Sequence, residues 1–396
     1  MIDFRNPYTP GAGVMPKYLA GREGIIDNAT KRLEAVAAGY QSRSIVYYGL
    51  RGVGKTVLLN AIEDIADKRD LLNRHIEVKE ASNFVKALSI ACSGFVQSLS
   101  LKEAVKDKIG KLWSILRSFS ATWNPEDKTI SFELKDQPLE FATAGTGDLA
   151  NDFTELLVTL GKYAQQAETA ICFCIDEIQY VKTEELEALI TAVHRLNQLG
   201  LPILFFCAGL PKILKTMGDT KSYTERLFEF VEIGSLSKQS ARDAIAIPAN
   251  ELDVHYTPEA ISKIIEITGS YPYFIQELCN TIWEKHDTRE IDIDTVCKNI
   301  NPTNEKLDAG FFQVRYNRCT QTEKMFMAAM VKCGELPCTI ARVAQIMNRP
   351  ARSISIFRGS LINKGLIFST SYGEIDFTVP QFDAFIKRVH PDFKQN

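Results

Sequence analysis

The sequence predicts an α/β domain built on a mostly parallel sheet, then a helical domain, then a small C-terminal unit of helices and a hairpin. Three observations carry this prediction. Short apolar runs at residues 45–48 (IVYY), 170–175 (AICFCI) and 201–208 (LPILFFCA) alternate with segments of helical spacing. Wholly apolar runs of this length suit strands covered on both faces, and their alternation with helices implies parallel neighbours. The first run enters a glycine-rich stretch, GLRGVGKT at residues 49–56, which opens a helical pattern. From about Ser237 the strand signals stop, to return in LIFSTSYGEIDFTV near the C-terminus.

Pro7, Pro10, Gly11 and Gly13 make an irregular lead-in, and Gly21-Arg22-Glu23 opens a helix to about Ala38. After the helix that follows the glycine-rich stretch, residues 75–81 (HIEVKEA) read as a second strand, and residues 82–119 as mostly helical. Residues 129–134 (TISFEL) alternate as a strand does, and residues 142–148 read as a loop. Residues 102–148 exceed what a crossover needs and are expected to be an insertion. Residues 149–166 and 184–199 are helical. Residues 240–285 are helical with breaks at Pro248 and at TGSYPYF, and residues 290–300 form a short helix. Helices at 322–333, 339–347 (Thr339 as N-cap) and 353–364 follow, the last stopped by Gly365, and then two strands around a Ser-Tyr-Gly tip. Helix, helix, turn, helix, hairpin is the order of a winged helix. The expected domains are residues 1–236, 237–318 and 319–396.

The glycine-rich stretch has the spacing G-x-x-x-x-G-K-T. Gly49, Gly52 and Gly54 let backbone N–H groups curl around an anion without a Cβ in the way. The loop, with Leu50, Arg51, Val53 and Val57, feeds a helix N-terminus, whose free N–H groups favour phosphate. Lys55 is expected to reach the β and γ phosphates of ATP, and Thr56 to place a hydroxyl on Mg²⁺. The strand at residues 170–175 ends in Asp176-Glu177. Asp176 there would hold the Mg²⁺ shell, and Glu177 would polarise the attacking water. The predicted fold class is therefore an α/β P-loop NTPase.

Composition bounds the rest. The chain has 396 residues and a net charge of −3, so there is no global electrostatic case for nucleic acid. No run approaches the length needed to span a bilayer, and the nine scattered cysteines suit a reduced, cytoplasmic protein. Cys172, Cys174, Cys207 and Cys279 read as small core residues.

With these pieces placed, the chain resembles the origin-initiator-like (archaeal ATPase) branch of the AAA+ ATPases. More closely it is similar to bacterial ATP-binding proteins near the STAND switch ATPases. The markers include NPYTPGAG, LAGREGII, CIDEIQYV, KSYTERLFEFVEIGSLS, SYPYFIQELC and LDAGFFQVRYNR. The resemblance implies an ATPase with ATP and Mg²⁺ as ligands. It places Gly21 and Arg22 on the adenine side, with Ile25 or Ile26 packing there. It implies that Arg226, or less strongly Lys221, supplies a guanidinium or ammonium to the γ phosphate, in cis or in trans. Two departures stand out. The strand ending Cys207-Ala208-Gly209 offers no polar side chain to the attacking water. Pro272 stands where engine-type relatives place a phosphate-facing arginine, although Ser270 departs from the glycine-x-proline of switch-type relatives. The expectation is a slow, nucleotide-controlled switch. The alternative is an ATP-dependent DNA-binding initiator or loader. Duplex DNA would meet the C-terminal unit at Arg349, Arg352, Arg358 and Lys364. That unit counts ten Lys and Arg against six Asp and Glu, and Glu374 and Asp376 in the hairpin oppose phosphate contact. Other expected partners are ATP or ADP, a protein, and copies of the chain in a nucleotide-dependent oligomer. No membrane is among them.

Overall fold

The computed structural model describes residues 5–80, 83–124 and 145–390. The strand expected at residues 129–134 lies outside the described residues. Five parallel strands form the central sheet: β1 (Ser44–Tyr48), β2 (Leu72–Glu77), β3 (Ile171–Asp176), β4 (Ile203–Gly209) and β5 (Phe228–Glu232), in the order β2-β3-β4-β1-β5. Every residue of β3 and β4 is buried, as two-faced strands require. On one face, helices Phe84–Ser100, Ile109–Trp123, Leu149–Gln166 and Thr183–Leu199 share an apolar cluster with the sheet. Phe173 and Phe205 stack there at 4.8 Å, with Phe95 edge-on to Phe173 at 5.0 Å.

Two strands were poorly marked in the sequence. β2 begins at Leu72 rather than His75 because it lies at a sheet edge. Its side chains are half-exposed, and Arg74 covers Phe95 instead of an apolar residue doing so. β5 is the other edge, and its Glu229 is held by Arg32 and Arg43.

The helical unit contains Lys238–Asn250, Pro258–Thr268, Pro272–Lys285 and Ile293–Leu307. Pro248 does not break its helix: it sits in the last turn, where the helix continues only to Asn250 beyond the N–H bond that the proline forfeits. The break at TGSYPYF is real, with Gly269 and Ser270 both at positive φ and Pro272 opening the next helix. The helix expected at residues 290–300 instead runs on through a π-helical turn, Asp308–Phe312, to Gln313–Asn317.

The C-terminal unit contains helices Gln321–Lys332, Ile340–Ile346 and Ala351–Asn363, with Thr339 capping the second. β6 (Cys338–Thr339), β7 (Ile367–Ser369) and β8 (Glu374–Phe377) form an antiparallel sheet in the order β6-β8-β7. A final helix, Phe382–Val389, was not anticipated. Phe312, Phe382 and Phe385 join Leu58, Tyr47 and Phe274 in one apolar cluster, so this unit packs on the second face of the sheet. Among the described residues no helix is long and apolar enough to cross a membrane.

Candidate nucleotide site

The chain leaves β1 for β2, three places away, so the loop after β1 opens at a switch point of the sheet. Gly49 begins that loop, and its N–H donates to Gly209 O at 3.1 Å. A Cβ at Gly49 would fall 2.1 Å from Ile233 O, which only glycine avoids. Gly54 (φ +90°) caps the helix Lys55–Asp67 in the left-handed region.

The predicted constellation is assembled. The Thr56 hydroxyl donates to Asp176 Oδ2 at 2.6 Å, and Asp176 Oδ1 accepts the Glu177 N–H at 2.8 Å. Burial raises the Asp176 pKa. A hydroxyl and a carboxylate at the phosphate loop are hard oxygen donors, a set that suits Mg²⁺. Lys55 Nζ donates to Gly49 O (3.0 Å) and Leu50 O (2.8 Å). Burial lowers its pKa to about 8, against the pull of Glu177 and Asp176.

Glu177 lies in the left-handed region, at φ +54°, a costly conformation for a non-glycine residue. Its carboxylate faces Arg51 at 3.6 Å and accepts from the Gln179 amide. Gln179 Oε1 in turn accepts the Leu210 N–H at 2.9 Å. Gln179 therefore ties the end of β4 to Glu177, across the place where Cys207, Ala208 and Gly209 offered nothing polar. The Cys207 thiol is buried in the core. A Cβ at Gly209 would meet Gln179 Oε1 at 2.8 Å. The sequence showed Gln179 only as a polar residue near the carboxylate pair.

A cavity of about 330 Å³ opens on these residues, within the size range of small-ligand sites. Tyr18, Leu19, Leu236 and Ala244 make its apolar end; Lys55, Thr56 and Glu177 mark its polar end. Residues 9–14 of the lead-in also line it, and the Asn60 amide donates to Gly13 O at 3.0 Å. Arg22 lines the wall but braces protein, donating to Val53 O (3.2 Å) and Gly234 O (2.6 Å). Gly21, Ile25 and Ile26 are not in the lining; a Cβ at Gly21 would strike Ser240. Pro272 is in the wall, beside Tyr273, whose N–H donates to Gly52 O at 3.3 Å.

Two expected groups stand elsewhere. Arg226 is exposed in the single turn Thr224–Leu227, just before β5. β5 starts opposite Ser44, the first residue of β1, whereas the phosphate loop follows the last. A five-residue strand puts about 16 Å between those ends, so Arg226 does not reach its own chain's cavity. Lys221 is held by Glu187 at 2.5 Å. In the C-terminal unit Arg349 and Arg352 are exposed, while Arg358 donates to Ser369 Oγ at 2.7 Å. Lys364 is half-buried, its ammonium donating to Glu323 (2.7 Å) and to Arg318 O (3.1 Å).

Two contributions come from far along the chain. Tyr271 donates its hydroxyl to Arg51 O, and Arg51 itself reaches the C-terminal unit. Its N–H donates to Thr378 O (3.1 Å) and its Nε to Gly365 O (3.4 Å). Phe311 and Arg315 line the cavity from the helical run that precedes the C-terminal unit.

A glycine-rich loop at a switch point, a buried lysine and a threonine–aspartate pair define a P-loop NTPase. Residues 18–206, just under half of the chain, match the family model of the AAA ATPase domain. Residues 309–386 match a domain of unknown function (DUF8462). No curated protein matches the chain. Among solved structures, a Walker-type ATPase of Pyrococcus abyssi is similar at TM-score 0.56 and 13% identity, over 93% of this chain and 96% of that one. At that identity the likeness concerns the fold. The Aeropyrum pernix Orc1 protein in complex with DNA matches at TM-score 0.47 and 13% identity, over 94% of each chain. The Thermotoga maritima RuvB Holliday junction branch migration motor matches at 0.46 and 14%, over 97% and 99%.

Proposed function

We propose that this chain is a slowly hydrolysing ATPase in which bound nucleotide sets the position of the C-terminal unit. The reading divides the chain into an ATPase core (1–236), a helical lid (237–318) and a winged helix (319–396). Arg51 carries it. This one residue of the phosphate loop faces Glu177, anchors Tyr271 of the lid and holds Gly365 and Thr378 of the C-terminal unit. A change at the phosphates is thereby a change at both other units, in the manner of a switch.

ATP would lie with its base between Tyr18, Leu19, Leu236 and Ala244, and its phosphates on the loop. Lys55 would leave Gly49 O and Leu50 O for the β and γ phosphates. Thr56 and Asp176 would hold Mg²⁺, which offsets charge on the phosphate oxygens when bound. Glu177 would take the proton of the attacking water, steadied by Gln179. Pro272 adds no charge and fixes the lid helix at its first turn. Arg226, at the far end of the sheet, would serve a neighbouring copy in an oligomer.

The second reading is an initiator or loader that grips duplex DNA. The exposed guanidinium groups of Arg349 and Arg352, at the start of the helix Ala351–Asn363, favour it. ATP turnover measured with and without duplex DNA, beside Glu177→Gln, separates the two. Slow turnover indifferent to DNA is the expected result. A large rise with DNA would replace the switch reading with the second.

A further inference from the structure

Four cationic side chains line the nucleotide cavity: Arg22, Arg51, Lys55 and Arg315. Three are already committed. Arg22 braces Val53 O and Gly234 O, Lys55 belongs to the loop, and Arg51 is turned to Glu177, Tyr180 and Gly365. Arg315 has no such employment. Its Nη1 donates to Phe311 O at 2.6 Å, and its guanidinium lies 3.9 Å from the centre of the Phe311 ring. Among the described residues no carboxylate pairs with it.

We propose that Arg315 binds the γ phosphate and so distinguishes ATP from ADP. This rests on the nucleotide reading of the cavity and adds a residue that no loop motif contains. The first argument is position. Arg315 and Arg51 both line this cavity and the smaller one beside it, and Arg51 is 3.6 Å from Glu177. That is the polar end, where a terminal phosphate would project beyond the loop. The second is charge. Burial, then the neighbouring Arg51, pull the Arg315 pKa down to about 10, with Arg318 adding to the same effect. A partly buried guanidinium among like charges is costly, and a multiply charged oxyanion offsets that cost. The third is rigidity. Phe311 is stacked between Arg315 and Tyr273, at 4.6 Å from the latter, and the Tyr273 N–H is bonded to Gly52 O. Two aromatic rings thus hold the guanidinium at a fixed offset from the phosphate loop.

The fourth argument is connection. The helix Pro272–Lys285 presents Pro272 and not a cation, so that helix adds no charge of its own to the terminal phosphate. Arg315 comes instead from the helical run that leads into the C-terminal unit. It also lines a second cavity of about 200 Å³, with Arg318, Lys364 and Gly365. A guanidinium drawn toward a γ phosphate moves the wall that separates the two cavities.

The test is binding. Affinities of the full chain for Mg²⁺-ADP and for a non-hydrolysable Mg²⁺-ATP analogue are measured by calorimetry. The proteins are the unaltered chain, Arg315→Met, Arg315→Lys and Arg318→Ala. Methionine keeps an apolar stem on the Phe311 ring and removes the charge. Arg315→Met is expected to weaken the analogue about 10- to 100-fold, the worth of a charge-assisted bond, and ADP by less than about twofold. Arg315→Lys should recover part of the preference, and Arg318→Ala should change neither ligand. Equal losses for both ligands, or no loss, would overturn the proposal while leaving the cavity reading intact. An unaltered chain that binds neither nucleotide would overturn both.

Discussion

Lys55 is the residue on which pH should act. Its ammonium is buried, and its pKa is drawn down to about 8. Phosphates beside it favour the charged form, so the bound pKa is higher than the free one. Binding must then take up a proton above pH 8, and affinity must fall as pH rises through about 8. Calorimetry in buffers of different ionisation enthalpy should show this uptake between pH 8 and 9; an affinity flat from pH 7 to 9 would contradict it. Lys55→Ala should abolish the rise in melting temperature that ATP produces. Glu177→Gln should keep that rise and lower turnover by about 10²- to 10⁴-fold. These residues were legible because their chemistry is local: a contiguous loop, and a carboxylate pair after an apolar strand. Gln179 and Arg315 were not, since their roles arise from contacts with Leu210 and Phe311 that only the folded chain brings to the cavity. Whether Arg226 faces its own chain's site or a neighbour's was not legible, because strand direction, not motif, decides which end of the sheet it occupies.

Among elements, the buried ones were the easiest to read. β3 and β4 are apolar throughout because both faces are covered. The edge strands β2 and β5 carry polar residues and hid. Pro248 and Pro302 lie inside helices, where proline looks like a stop in sequence. One element depends on a single acid. Glu323 caps the helix Gln321–Lys332 with Thr320 and binds Lys364 and Ser360. Burial opposes its ionisation, but Lys364 and the hydroxyls prevail and hold its pKa at about 2. Its contribution is therefore complete above about pH 4.5, its ordinary value, and is lost as pH falls toward 2. Glu323→Ala should cost about 1–3 kcal/mol, from the lost cap and a deserted lysine, read as a lower melting temperature. A loss that persists undiminished at pH 2 would show that the ion pair is not its source.

At the scale of the whole molecule, the units meet at the phosphate loop, and Arg226 faces outward. If Arg226 serves a neighbour, turnover per molecule should rise with protein concentration, and Arg226→Ala should remove the rise. Turnover independent of concentration would leave Arg226 as a surface charge. The order of most strands and helices was visible in their patterns, but their docking was not. It depends on Arg51 touching Gly365 and Thr378, more than 300 residues away along the chain.

The most direct test of the switch is hydrogen exchange of residues 365–379 in the full chain with ADP, with a non-hydrolysable ATP analogue, and with neither. A γ phosphate should draw the Arg51 guanidinium away from Gly365 O and loosen the seating of the C-terminal unit on the loop, so amides there should exchange faster with the analogue than with ADP. Identical exchange in all three conditions, with both nucleotides shown to be bound, would contradict the claim that nucleotide sets the position of the C-terminal unit.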